Sequence, residues 1–153
     1  MIQQIQLVLS SPNDVRIPQS WSYRLYGWLM SQISSEFGEQ MHLQGEHPIA
    51  HFLCFSSEKQ SLIWTVNLLN DAARQVVFPV LESAKEIPLH ELTLPVSEVR
   101  IFPAVSAEEL IRSGRSHSET RAKIAFLSPC AFKQSGRYTI FPQETLLLQS
   151  LIA

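Results

Sequence analysis

The chain has 153 residues and a mass of 17.4 kDa, room for one domain of ordinary size. Apolar residues at 45% supply a core at this length and exclude whole-chain disorder, while a formal net charge of −2 excludes a polycation. Only 17% of residues are charged, below the roughly 25% of an average soluble protein, so Ser, Gln, Thr and Asn, or a covering partner, must complete the surface.

Ile2, Ile5, Leu7 and Leu9 alternate with mostly polar neighbours, which predicts a half-buried strand from Gln3 to Ser10. The segment SPNDVRIPQS, residues 11–20, is a loop by its two prolines, Asn and Asp. Ser20 is placed to cap a helix in which Trp21, Leu25, Trp28, Leu29 and Ile33 recur at spacings of three and four, to about Ser34. A second short helix, Glu36 to Leu43, ends at Gly45 and Pro48. Ile49 to Ser56 and Leu62 to Leu68 read as strands joined by a hairpin turn, SSEKQS.

Asn70 or Asp71 caps the next helix, through about Ala84, with Pro79 set to kink or break it. Leu89 to Val105 reads as one long bent strand or two short ones, interrupted at Pro95. SAEE opens a short helix over Ser106 to Ile111, its acids at the end the dipole prefers. A basic loop follows, RSGRSHSETR, then a strand from Lys123 to Leu127 and a turn-rich connection, SPCAFKQSGRY. A strand from Tyr138 to Phe141 and an apolar helix from Gln143 to Leu151 close the chain. The order β-α-β-β-α-β predicts an α+β fold: a ferredoxin-like, split βαβ sandwich with an antiparallel sheet and helices on one face. Residues 1–153 read as a single domain.

Charge is unevenly placed. Between Leu110 and Ile140 stand six basic residues, Arg112, Arg115, Arg121, Lys123, Lys133 and Arg137, and one acid, Glu119. That window is net +5 and the remainder −7, which suggests a local anionic partner; a solvated loop and strand edge kept soluble by charge is the plainer reading. Cys54 and Cys130 lack a CxxC spacing and read as small buried hydrophobes in a reducing compartment. The N-terminus carries no signal-peptide pattern and no run approaches a membrane span. A soluble, cytoplasmic protein is expected.

Three of the five histidines, His42, His47 and His51, fall within HLQGEHPIAH. No cysteine pair or suitably placed acid completes a zinc shell there, so neither a metal nor any other cofactor is expected. Surface or half-buried histidines on a turn would explain the cluster. So would general acid/base catalysis by loop-exposed imidazoles that titrate near neutrality. There is no GxxxxGK[ST] phosphate loop and no GxSxG elbow. Any enzymology rests on histidine.

The run IAFLSPCAFKQSGRYTIFPQETLLLQSL, residues 124–151, resembles the signature of the CRISPR-associated repeat-processing endoribonucleases, the Cas-six family of the RAMP superfamily. The matching residues are Phe126, Leu127, Ser128, Pro129, Phe132, Lys133, Phe141, Pro142 and Gln149. Residues 23–56, YRLYGWLMSQISSEF…MHLQGEHPIAHFLCFS, are similar to the family's first helix, histidine-bearing turn and second strand. The resemblance implies metal-independent cleavage of CRISPR precursor RNA within its repeats, by 2′-hydroxyl attack on the adjacent phosphate. It implies His42, in MHLQG, as the catalytic histidine and His47 as its assistant. Where some members use a tyrosine on the first helix this chain has Met30, and Tyr26, one turn earlier, is the candidate substitute.

Family enzymes carry two tandem ferredoxin-like domains, the second with a glycine-rich loop, and this chain has no glycine after Gly136. It is expected to be the first half of such an enzyme. The expected partners are repeat RNA, contacted by Arg112, Arg115, Arg121, Lys133 and Arg137, and a second glycine-rich RAMP chain or a second copy. The apolar run ETLLLQSLIA is the expected seat of that protein contact. Two other readings accompany the enzyme: a non-catalytic RNA-binding or scaffold subunit of a CRISPR complex, and a ferredoxin-like interaction module with no RNA role.

Overall fold

The computed structural model describes residues 1–11, 15, 17–44, 47–56, 61–90, 92–116, 132–134, 137–140 and 144–145. The chain divides into two compact units, Met1–Ser116 and His117–Ala153. In the first unit β1 (Gln3–Leu9) leads through a short 3-10 turn, Gln19–Trp21, into α1 (Ser22–Gln32) and α2 (Ser35–Gln44). Then follow β2 (Ile49–Ser56), β3 (Ser61–Leu68), α3 (Asp71–Ser83), β4 (Glu86–Pro88), β5 (Thr93–Ile101) and α4 (Ala107–Ser116).

The five strands form one antiparallel sheet in the order β2-β3-β1-β5-β4. Without the short edge strand β4 this is the βαββαβ arrangement expected from the sequence, an α+β ferredoxin-like sheet. Alternation decides which side is the core. Ile5, Leu7 and Leu9 on β1 stand opposite Val66, Trp64 and Leu62 on β3, and Trp64 and Leu68 stand opposite Leu53 and Ile49 on β2. All are buried, together with Leu25 and Leu29 of α1 and Ala73, Val77 and Leu81 of α3. Each large apolar side chain removed from water this way contributes about 1.5–3 kcal/mol before entropy is charged against it. Buried Gln3 is satisfied on both ends: its amide nitrogen donates to the Phe102 carbonyl at 3.2 Å and its oxygen accepts from Arg74 Nε at 2.7 Å. The opposite sheet face is more polar, with Gln4 donating across the β1–β3 pair to Asn67 at 2.9 Å.

Several sequence expectations need adjustment. Ser20 does not cap α1; it lies inside the 3-10 turn, and Trp21 stands at the N-cap with no side-chain hydrogen bond. Asn70 does cap α3, accepting from the Ala73 backbone N–H at 2.8 Å. Pro79 neither ends nor divides that helix, which runs on to Ser83. Ser83 Oγ turns back to donate to the Pro79 carbonyl at 2.7 Å. Pro95 does not interrupt β5 either. Its carbonyl accepts from Ser10 N–H at 3.0 Å, and the neighbouring Val96 N–H donates to Lys85 at 2.8 Å. The irregularity falls beside it: the β1 partners step from Glu98 to Val96, and the bypassed Ser97 donates its hydroxyl to the Val8 carbonyl at 3.1 Å.

Helix α4 extends five residues past Ile111, and at its start Ser106 and Glu109 form a reciprocal capping box with hydrogen bonds of 3.1 and 2.7 Å. In the second unit, β6 (Phe132–Gln134) pairs antiparallel with β7 (Arg137–Thr139), so a strand lies inside the connection read as turn-rich. The predicted strand Lys123 to Leu127 and all but Glu144 and Thr145 of the predicted last helix lie outside the described residues. Cys54 is half-buried and its thiol points to the Ile63 carbonyl at 3.7 Å; Cys130 lies outside the described residues.

Candidate active site and nucleic-acid interface

Side chains two apart on a strand share a face, so His51 points the same way as Ile49 and Leu53, toward α1. Tyr26, next to buried Leu25 on that helix, lays its ring on the imidazole: the centroids are 4.7 Å apart and the planes differ by 8°. His51 also meets the fully buried Trp64 ring at 6.3 Å and 78°. Trp64 meets Trp28, one turn along α1 from Arg24, at 6.3 Å and 66°. Four rings thus bridge α1 to the edge strand β2 and its neighbour β3.

Burial sets the protonation of the pair. It pushes the His51 imidazole below the ordinary histidine value and the Tyr26 phenol above the ordinary tyrosine value. At neutral pH the imidazole is therefore uncharged and the phenol protonated. His51 Nδ1 is buried with no hydrogen-bond partner among the described residues, so packing rather than a hydrogen bond holds the ring. A neutral imidazole can accept a proton and a protonated phenol can donate one.

The other predicted residues fall as follows. His42 lies in the last turn of α2. His47 is exposed in the segment between α2 and β2, four residues before His51. Of the sequence-chosen catalytic residues, the structure places Tyr26 against a histidine that the sequence reading grouped with His42 and His47 but did not select. The signal was present: His51 sits at period two between two strongly apolar residues, a pattern that turns it inward to the helix.

Arg112 and Arg115 are exposed and stand three apart on α4, hence on one side of a helix rather than in a loop. Lys133 and Arg137 belong to the β6–β7 hairpin of the second unit, at positions paired with Tyr138 and Gln134. Arg121 lies outside the described residues. Among the described residues no three His, Cys, Asp or Glu side chains gather as a metal-binding group. No helix among them is long and apolar enough to cross a membrane.

No protein-family model matches the chain. The CRISPR-associated endoribonuclease Cas6 of Streptococcus thermophilus is 33% identical over 136 residues, 88% of this chain and 55% of that protein. Cas6 of Mycobacterium tuberculosis is 29% identical over 132 residues, 83% of this chain and 41% of the relative. Among solved structures, a Cas6 product complex superposes with a TM-score of 0.70 at 20% identity, over 99% of this chain and 61% of that one. A histidine-to-alanine mutant of Cas6 gives 0.65 at 18%. The ferredoxin-like order β2-β3-β1-β5, the helices on its core face and these matches agree: the chain is a homologue of the Cas6 endoribonucleases and spans about half the length of the curated relatives it matches.

Proposed function

We propose that this chain is one domain of a CRISPR repeat-RNA-processing endoribonuclease. The observation that carries the reading is the 33% identity to a Cas6 endoribonuclease across 88% of the chain. The reaction is metal-independent transesterification. The ribose 2′-oxygen attacks the adjacent phosphorus as its proton passes to a base. The bond to the 5′-oxygen breaks, and that oxygen leaves with a proton, giving a 2′,3′-cyclic phosphate and a 5′-hydroxyl. His42, at the end of α2, serves as the principal acid or base, with His47 assisting from the segment that follows. Tyr26 acts from α1, where its phenol stays protonated.

Repeat RNA lies along basic residues of the window, Arg112 and Arg115 on α4 and Lys133 and Arg137 on the hairpin, with Arg121 between them in sequence. A second, glycine-rich RAMP domain, or failing that a second copy of the chain, completes the grip, and the assembly works in the cytoplasm. The test is incubation with repeat RNA in EDTA, with and without a candidate second domain. A cyclic-phosphate end is the expected product. Binding without cleavage in every combination would leave a scaffold subunit instead.

A further inference from the structure

Helix α4 is amphipathic by sequence and unburied in the fold. Ala107, Leu110, Ile111 and Gly114 recur at i, i+3, i+4 and i+7, the stripe that a helix turns toward a neighbour. Yet every side chain from Ala107 to Arg115 is exposed, Leu110 at 47% and Ile111 at 55%. A Cβ added to Gly114 would meet no atom within 4 Å, so the stripe faces open space at its far end. Ten residues fall short of the ~12–15 below which even alanine-rich helices are marginal in water, and most helices in proteins are held by packing an apolar face. The Ser106–Glu109 capping box secures only the first turn. The stripe calls for a covering face.

Charge says what kind of face. At about 100° per residue, Glu108 and Arg115 lie along the same flank of the stripe, one before its centre and one after it. Arg112 lies on the side opposite the stripe, and Glu109 is engaged in the capping box. In an antiparallel pair of such helices, related by a two-fold axis between Leu110 and Ile111, the same flank of both copies meets. Glu108 of one copy then stands within about 3 Å, along the helix axis, of the level of Arg115 in the other, and the same pair recurs across the two-fold. Ala107 faces Gly114 and Leu110 faces Ile111, small against small and large against large. A parallel pair would set the charged flank against the uncharged one and form neither ion pair.

We infer that α4 is a self-association surface: two copies of this chain pair through antiparallel α4 helices, with Leu110 and Ile111 at the centre and Glu108–Arg115 ion pairs at both rims. This contact is independent of the RNA reading and is seated on α4 rather than on the run ETLLLQSLIA. One pair of ten-residue helices buries less than the ~1,200 Å² of a standard interface, so the dimer is weak and concentration-dependent. Arg112 keeps to the outer side of the pair.

Sedimentation equilibrium of the RNA-free 153-residue chain, from micromolar to millimolar concentration, tests the pairing. The average mass should climb from 17.4 kDa toward twice that value as concentration rises. Glu108→Arg and Arg115→Glu, each alone, set like charges against each other at both rims and should weaken the dimer several-fold. An equimolar mixture of the two variants restores both ion pairs and should associate at least as tightly as the parent chain. Leu110→Gln, which leaves every charge in place, should weaken association about tenfold. The melting temperature of each variant checks that these exposed substitutions leave the fold intact. A chain that stays monomeric over the whole range, or a dimer that ignores both charge reversals, would overturn α4 as the interface and leave the RNA reading standing. A mixture no tighter than the single variants would overturn the antiparallel alignment.

Discussion

His51 occupies a position where folding opposes its charge. Its ring is wedged between Tyr26 and Trp64, and burial holds its pKa below the ordinary value of about 6.5. As pH falls through about 6.5 the unfolded chain takes up this proton before the folded chain does, so stability rises with pH across the window between the two values. His51→Phe keeps an aromatic ring in the stack and removes the titration. The melting temperature of the parent chain should fall relative to this variant as pH drops from 7 to 5. A constant difference would show that the imidazole is not desolvated as described. For the cleavage reaction, His42→Ala should remove most activity in any competent assembly, by the ~10²–10⁴-fold that a placed proton-transfer group supplies. RNA affinity, measured on the same variant, should change little; full retention of cleavage would transfer the role to His47 or His51.

At the scale of elements, most of the sheet was legible because each of its central strands carries a clean period-two pattern. Ile49–Ser56 was read with its observed bounds, and β1 and β3 within one residue of theirs. What the pattern could not show was how prolines are tolerated. Pro79 lacks an N–H, yet the Asn70 cap and the buried stripe Ala73, Val77 and Leu81 keep the helix intact around it. Pro95 sits beside a bulge, where strand pairing is already irregular and a missing donor costs little. The reach of α4 was missed for the converse reason. RSGRS has a loop composition, yet the helix that the Ser106–Glu109 capping box starts runs over these residues to Ser116. The Tyr26–His51 contact depends on register between helix and sheet, which no single element encodes. Asn70→Ala removes the acceptor at Ala73 N–H and should cost about 1 kcal/mol, a fall of a few degrees in melting temperature. An unchanged transition would mean that α3 is held by its buried stripe alone.

For the whole molecule, the division of charge is the feature that ties sequence to function. On the proposed RNA reading, the window of net +5 is the part of this net −2 chain suited by charge to a phosphate backbone. The structure puts two members of that window, Arg112 and Arg115, on one side of an exposed helix in the first unit. Lys133 and Arg137 follow on the hairpin of the second. Neutralising a phosphate releases condensed counterions, so each contact contributes about 0.7–0.9 to the slope of log affinity against log salt. Replacing Arg112 and Arg115 together with Ala should weaken repeat-RNA binding and flatten that slope by roughly 1.4–1.8, two contacts' worth. Both positions are exposed, so the melting temperature should hold while the slope changes. A slope that stays the same in the double variant would mean that these arginines serve solubility, and that the RNA path lies elsewhere on the chain.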